Sequence, residues 1–237
     1  MKIIISPAKK MNADLDFLPP KTLPVFLERA EELTAGIKRL SYRELKKLLA
    51  CNDQIAELNY ARYAAMDLRR GLTPALLAYD GIQYKYMAPA VFSTGQFTYV
   101  EEHLRILSGL YGLLRPFDGV TPYRLEMQAK LDLYAFWGDT LARALGEGPV
   151  LNLASEEYAR AVTPFRADVT TPIFGELIGG KVVEKGVYVK MARGEMVRWM
   201  SERNVERIED IRDFDGLGYQ YCPERSEEKR CIFLQKS

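Results

Sequence analysis

The chain has 237 residues, 48% hydrophobic, 27% charged and 11% aromatic, enough for one sizeable core or two small ones and unlike disordered, collagenous or disulfide-scaffold chains. With 33 basic and 32 acidic side chains the net charge is +1, so any nucleic-acid contact needs a local patch, not bulk charge. One histidine, His103, and three cysteines without C-x-x-C spacing exclude histidine-rich zinc sites, H-E-x-x-H proteases, two-histidine iron sites, zinc ribbons and thioredoxin-like chemistry, and point to reduced thiols.

Residues 2–5, Lys-Ile-Ile-Ile, read as a short buried strand stopped by Ser6-Pro7. Three aliphatics fall far short of the roughly 7–15 apolar residues of a signal sequence, and no other run approaches the ~20 that span a bilayer. A cytoplasmic protein with no membrane partner is expected. Apolar positions recur at helical spacing over residues 23–40, with Thr22 as cap and Pro24 tolerated in the first turn. A second helix starts at Ser41, where Ser41 and Glu44 fit a capping box, and a third at about Asn52. Together they make a helical unit at about 22–66.

After Gly71 come short apolar-aromatic pieces at 75–79 and 83–87, then a helical or strand-like run at 100–107 and a structured loop rich in Gly and Pro at 108–124. A helix is predicted at 131–145, then a strand at 150–153 leading to Ser155 as a helix cap. Runs at 169–177 and 181–190 read as two strands joined at Gly179-Gly180. Helices at 193–203 and near 206–214 precede a final hairpin of 219–222 with 229–234. No linker or repeat divides the chain. The reading is one mixed α/β (α+β) domain over 1–237, with a mixed sheet, an N-terminal helical unit and a C-terminal β-hairpin.

Several motifs have competing readings. Gly175 to Lys181 satisfies G-x-x-x-x-G-K, but Val182 replaces the hydroxyl residue and the glycines join two strands, so a hairpin turn is expected there. Ser6-Pro-Ala-Lys9 matches S-x-x-K. If a helix began at Pro7, Ser6 would be its cap, and the pair could be a lysine-activated serine, a plain cap or part of an anion site. His103 has no catalytic partner in the pattern and reads as structural, and the tandem acids Glu156-Glu157 and Glu227-Glu228 do not pair as acid and base. Arg105, Arg115 and Arg124 alternate with aliphatics, glycines and tyrosines, suited either to phosphate or to packing over a loop paired with Glu126. The 41–66 hairpin carries Arg43, Lys46, Lys47 and Arg62, and its turn at Ala50 to Asp53 lacks the glycine of a helix-hairpin-helix element. Lys190 to Gly194 is expected to end a strand and open a helix, where an anion could bind.

Ile5-Ser-Pro-Ala-Lys9, Asn59-Tyr-Ala-Arg62, residues 104–116 and 122–127, Phe136-Trp-Gly-Asp139, Asn152-Leu-Ala-Ser-Glu-Glu-Tyr158 and Ala192-Arg-Gly194 together resemble the bacterial YaaA peroxide stress proteins over essentially the whole chain. The resemblance implies a single cytoplasmic domain of mixed α/β fold. It also implies protection against hydrogen peroxide, limitation of free intracellular iron, and DNA binding through a basic cleft with a helix-hairpin-helix element. One departure is Met191, where the family's motif usually reads Lys-Lys-Ala-Arg-Gly.

On this reading Lys9, Arg62, Arg105, Arg115, Arg124, Lys190 and Arg193 line a cleft and contact phosphates, with Lys46, Lys47 and Asn52 on the hairpin-like element and Tyr60 or Tyr111 as stacking faces. DNA, double-stranded or structured, is the expected partner, bound largely independently of sequence by a monomer. No metal and no cofactor is expected, and the scarcity of soft ligands makes the iron role indirect. A rival reading is an enzyme acting on a phosphorylated or nucleotide-like small molecule, with Ser6 and Lys9, or Ser155 and Glu156, near the reacting centre. A third is an adaptor that binds another protein through an exposed apolar patch. A closed pocket would favour the enzyme and an open groove the DNA protein.

Overall fold

Ile3, Ile4 and Ile5 are wholly buried in the computed structural model, which describes residues 1–13 and 18–235. A strand hides successive side chains only when both faces of its sheet are covered, and Lys2–Ile5 is the inner strand of such a sheet. It pairs in parallel with Leu104–Ser108 on one side and Val150–Leu153 on the other. The sheet runs Tyr219–Tyr221, Arg230–Gln235, Val169–Ile178, Val150–Leu153, Lys2–Ile5, Leu104–Ser108, Gly112–Leu114, and Lys181–Val183 adds onto the long Val169–Ile178 strand. Its centre is parallel and both ends of the path are antiparallel, so the expected mixed sheet and C-terminal hairpin are present. Each buried aliphatic of these strands contributes about 1.5–3 kcal/mol. Among the described residues, no helix is long and apolar enough to cross a membrane.

The N-terminal helices form where the spacing places them, with one shift. Tyr42–Leu49 begins at Ser41, whose hydroxyl accepts from the Glu44 amide while the Glu44 carboxylate accepts from the Ser41 amide at 2.8 Å. Asp53–Ala65 begins at Asn52, whose Oδ1 accepts from the Ile55 amide at 3.0 Å. The turn between them holds Ala50 at φ 46°, a left-handed position that usually takes glycine. The first helix, however, runs Leu27–Lys38 and is not capped by Thr22. Thr22 pairs instead with Asp118, donating its hydroxyl to Oδ1 at 2.7 Å.

Two open readings are resolved and two further expectations change. The 83–87 piece lies in a helix, Ile82–Met87, and the run at 100–107 is half helix, Thr94–His103, and half strand. The predicted 131–145 helix breaks into Leu133–Trp137 and Thr140–Ala144, because Gly138 takes φ 51° between them. The second strand of the Gly179-Gly180 hairpin ends at Val183, and a long helix, Gly186–Arg203, starts inside the segment expected as strand. Its β-branched residues favour a strand, but Val189, Ala192, Met196, Val197 and Met200 bury one helical face, and that packing overrides local propensity.

A candidate anion-binding cleft

The cleft begins with the two innermost strands. Lys2–Ile5 and Val150–Leu153 are parallel neighbours, so their carboxyl ends leave the sheet side by side, at Ser6 and Ser155. The first strand leads on to Leu104–Ser108 on one side of it, and the second to Val169–Ile178 on the other. Diverging connections of this kind leave a crevice at the carboxyl edge of a sheet. Here the crevice is a cavity of about 520 Å³.

Ser6 ties its rim together. Its Oγ accepts from the Ser155 amide at 2.8 Å and lies 3.2 Å from the Ser155 hydroxyl, while its carbonyl accepts from the Tyr84 hydroxyl at 3.0 Å. No helix begins at Pro7, so Ser6 is not the cap that S-x-x-K suggested; it joins two strand ends. Ser155 precedes the short helix Glu156–Ala159 without capping it by side chain.

The cations enter from three directions. Lys9 follows the first strand and is largely exposed, with its ammonium 3.2 Å from Glu126. Arg124 stands opposite, only 15% exposed, paired with the same carboxylate at 2.9 Å. Its carbonyl accepts from the Tyr63 hydroxyl at 3.1 Å, which braces this wall against the Asp53–Ala65 helix. Lys190 and Arg193 come from the Gly186–Arg203 helix. They lie inside that helix and not at a strand-to-helix junction, so the expected helix N-terminus is not what gathers them.

Gly194 sets the position of Arg193. A Cβ there would overlap the Gln83 carbonyl, so only glycine lets the Gly186–Arg203 helix cross Ile82–Met87 this closely. Gln83 in turn donates to the Leu153 carbonyl at 3.2 Å, fixing the crossing to the end of the second strand. Arg193 makes no ion pair among the described residues, and its buried Nε has no acceptor. The buried Nε of Arg124 is likewise unmatched. Burial lowers the Arg193 guanidinium from its usual value, with the charge of Glu184 opposing that shift. Arg124 has its charge met by Glu126, whereas the unpaired Arg193 guanidinium at the wall of the crevice makes an electrostatic demand for an anion.

The other expected contacts lie elsewhere. Arg115 is spent on Asp118, with its backbone amide 2.8 Å and its Nε 3.1 Å from that wholly buried carboxylate. Arg105 donates to the carbonyls of Glu101 and Leu104 at 3.1 and 2.6 Å, and burial, then the nearby Arg115 charge, lowers its guanidinium. Arg62 does not line the cavity, and burial lowers its guanidinium. On the hairpin, Lys46 is paired with Asp53 at 2.6 Å and Asn52 is used as the helix cap, whereas Lys47 is exposed. Tyr111 is fully buried and cannot stack on a base; Tyr60 is 42% exposed and meets Tyr42 edge-on. His103 is buried, with Nδ1 3.0 Å from the Met1 carbonyl and its ring against Tyr99, a structural role.

Sequence reasoning offered Glu126 as a partner of the arginines, which the Arg124 pair matches, but missed that acids line the cavity. Glu126 and Glu157 line the cavity beside the cations, and Glu157 accepts from the Gln128 amide at 3.2 Å. Tyr84, Tyr123 and Tyr158 line it from the core side. Tyr123 shares hydrogen bonds with Ser108 at 2.6 Å and Tyr79 at 2.8 Å, and burial, with those bonds opposing, pushes its phenol up to about 12. Glu126 lies between Arg124 and Lys130, a charge alternation that could have marked it, whereas Glu157 belongs to the tandem pair Glu156-Glu157 and carries no such signal.

Residues 1–225 match the family model described as peroxide stress protein YaaA. Curated relatives named UPF0246 proteins align over nearly the full length. The one from Desulfitobacterium hafniense is 54% identical, covering 99% of this chain and 98% of its own. Those of Agathobacter rectalis, at 49% (100% and 99%), and Lachnoclostridium phytofermentans, at 48% (99% and 96%), follow the same pattern.

Proposed function

Because the chain belongs to the family of the peroxide stress protein YaaA, we propose that it serves the peroxide stress response in the cytoplasm by binding DNA through phosphate contacts that do not depend on base sequence. The observation that carries this reading is the gathering of Lys9, Arg124, Lys190 and Arg193 around one crevice in a chain of net charge +1. Phosphate neutralisation is local, so a patch of this kind can bind a polyanion that the whole molecule does not attract. Side chains that contact phosphates position a duplex without selecting its sequence.

The hairpin adds a second surface beside the cleft. It is joined to the Arg124 segment by the Tyr63 hydrogen bond and by the Lys130 amide donating to the Leu48 carbonyl at 2.9 Å. With Lys46 paired to Asp53 and Asn52 used as the helix cap, the exposed Arg43 and Lys47 are hairpin cations that can meet a phosphate. Limitation of iron damage is then indirect, through occupation of DNA, because the chain offers one histidine and three separated cysteines as soft ligands.

A salt titration of duplex affinity tests the proposal. If Lys9, Arg124, Lys190 and Arg193 each meet a phosphate, the logarithm of affinity falls with the logarithm of salt concentration at a slope of about −3 to −4. A slope near zero would exclude phosphate-driven binding.

A further inference from the structure

We propose that the cleft is also the binding site of a free phosphate monoester with a hydroxylated body, of the nucleoside monophosphate or sugar phosphate class. The proposal deepens the phosphate-site reading above and rests on it. Four features of the cavity bear on the ligand. The crevice lies at the carboxyl ends of two parallel strands whose connections diverge, the place where an open α/β sheet binds small ligands. Its volume of about 520 Å³ falls within the range of roughly 300–1,000 Å³ that holds a single small ligand.

The third feature is the guanidinium of Arg193, which has no charge partner among the described residues, beside that of Arg124, which Glu126 meets on one side only. Arg193 has no carboxylate within ion-pair distance among the described residues, and the buried Nε atoms of Arg193 and Arg124 have no acceptor. A terminal phosphate dianion offers three oxygens to such donors, more than the two free oxygens of a diester linkage. The fourth feature separates the ligand from the DNA backbone. Glu126 and Glu157 line the same space, and the Ser6 and Ser155 hydroxyls lie at its rim. A phosphodiester backbone carries no hydrogen-bond donor and is repelled by carboxylates. Sugar hydroxyls and base amino groups are donors, and a ligand that carries them satisfies acids that a duplex leaves facing its own charge. Ile82, Tyr84, Leu125 and Tyr158 complete an apolar side against which such a body can rest.

Calorimetric titration of the full chain at physiological salt, with AMP, ribose 5-phosphate, adenosine and inorganic phosphate as separate probes, tests this. AMP or ribose 5-phosphate is expected to bind once per chain, at least tenfold more tightly than adenosine or inorganic phosphate. Arg193→Gln is expected to weaken that binding at least tenfold, with its thermal unfolding recorded to show a folded protein. Glu157→Gln gives the second arm: it is expected to weaken the monoester several-fold while leaving DNA affinity equal or higher. Inorganic phosphate binding as tightly as the monoesters would overturn the proposal, as would equal loss of monoester and DNA affinity in Glu157→Gln. If DNA binds with a steep salt slope and no monoester binds, this inference falls and the DNA reading stands; if a monoester binds and DNA does not, the reverse holds.

Discussion

Gly194→Val is expected to lower stability by about 3 kcal/mol and to abolish ligand binding in the cleft together with it. The added Cβ meets the Gln83 carbonyl carbon and oxygen and the Met87 amide nitrogen, which are backbone atoms that cannot rotate aside. The Gly186–Arg203 and Ile82–Met87 helices must therefore separate. Separation moves Arg193 away from the strand ends and strains the Gln83 bond to the Leu153 carbonyl, so fold and site fail through one contact. Gly194→Ala is expected to show the same effect at about 1–3 kcal/mol. Gly36 supplies the control, since it is also helical but a Cβ there meets nothing, so Gly36→Ala should stabilise by about 0.5–1 kcal/mol. Urea unfolding midpoints read all three. A Gly194→Ala variant as stable as the parent would show that the crossing is looser than described.

Asp118→Ala is the other large effect, expected at about 3 kcal/mol. The Asp118 carboxylate is completely buried and receives the Thr22 hydroxyl, the Arg115 amide and the Arg115 guanidinium. Removing it leaves those donors without an acceptor and releases the segment joining the Gly112–Leu114 strand to Thr22 and Ala75. The Arg115 side chain is 38% exposed and regains some water, which keeps the expected cost at the lower end for a broken buried pair. A loss below about 1 kcal/mol in denaturant unfolding would contradict the role given to this carboxylate. The same contacts explain why Arg115, basic and within the Leu104–Pro116 run, holds a loop and does not line the cleft.

How much of this was legible in the sequence depends on the range of the interaction concerned. Capping at Ser41 and Asn52 is local, decided within three residues, and the helices started where those side chains fall. The isoleucines of the first strand and the Gly179-Gly180 turn are similarly self-announcing. Segment 184–190 misled because its valines and tyrosine favour a strand, and only the buried helical face that begins at Val189 shows why a helix forms. For the cleft, charge type was legible and its destination was not. Lys9, Arg124, Lys190 and Arg193 meet there because two strands end side by side and one helix crosses another at Gly194. Arg105 and Arg115 look the same in sequence, but carbonyls and a buried carboxylate take up their donors. Glu126 and Glu157 were read only as partners or solvated acids, since tandem or alternating charges do not reveal that they share a cavity.

The claim that the cleft is the phosphate-binding locus of the protein is tested most directly by the salt dependence of DNA affinity in Lys9→Met/Lys190→Met. Both side chains are exposed and line the crevice, so their loss leaves the packing intact. The salt slope is expected to become shallower by about 2, while Lys181→Met, in an exposed hairpin outside the cavity, leaves it unchanged. A double variant with the parent's slope, or a Lys181→Met variant that loses as much, would contradict the account.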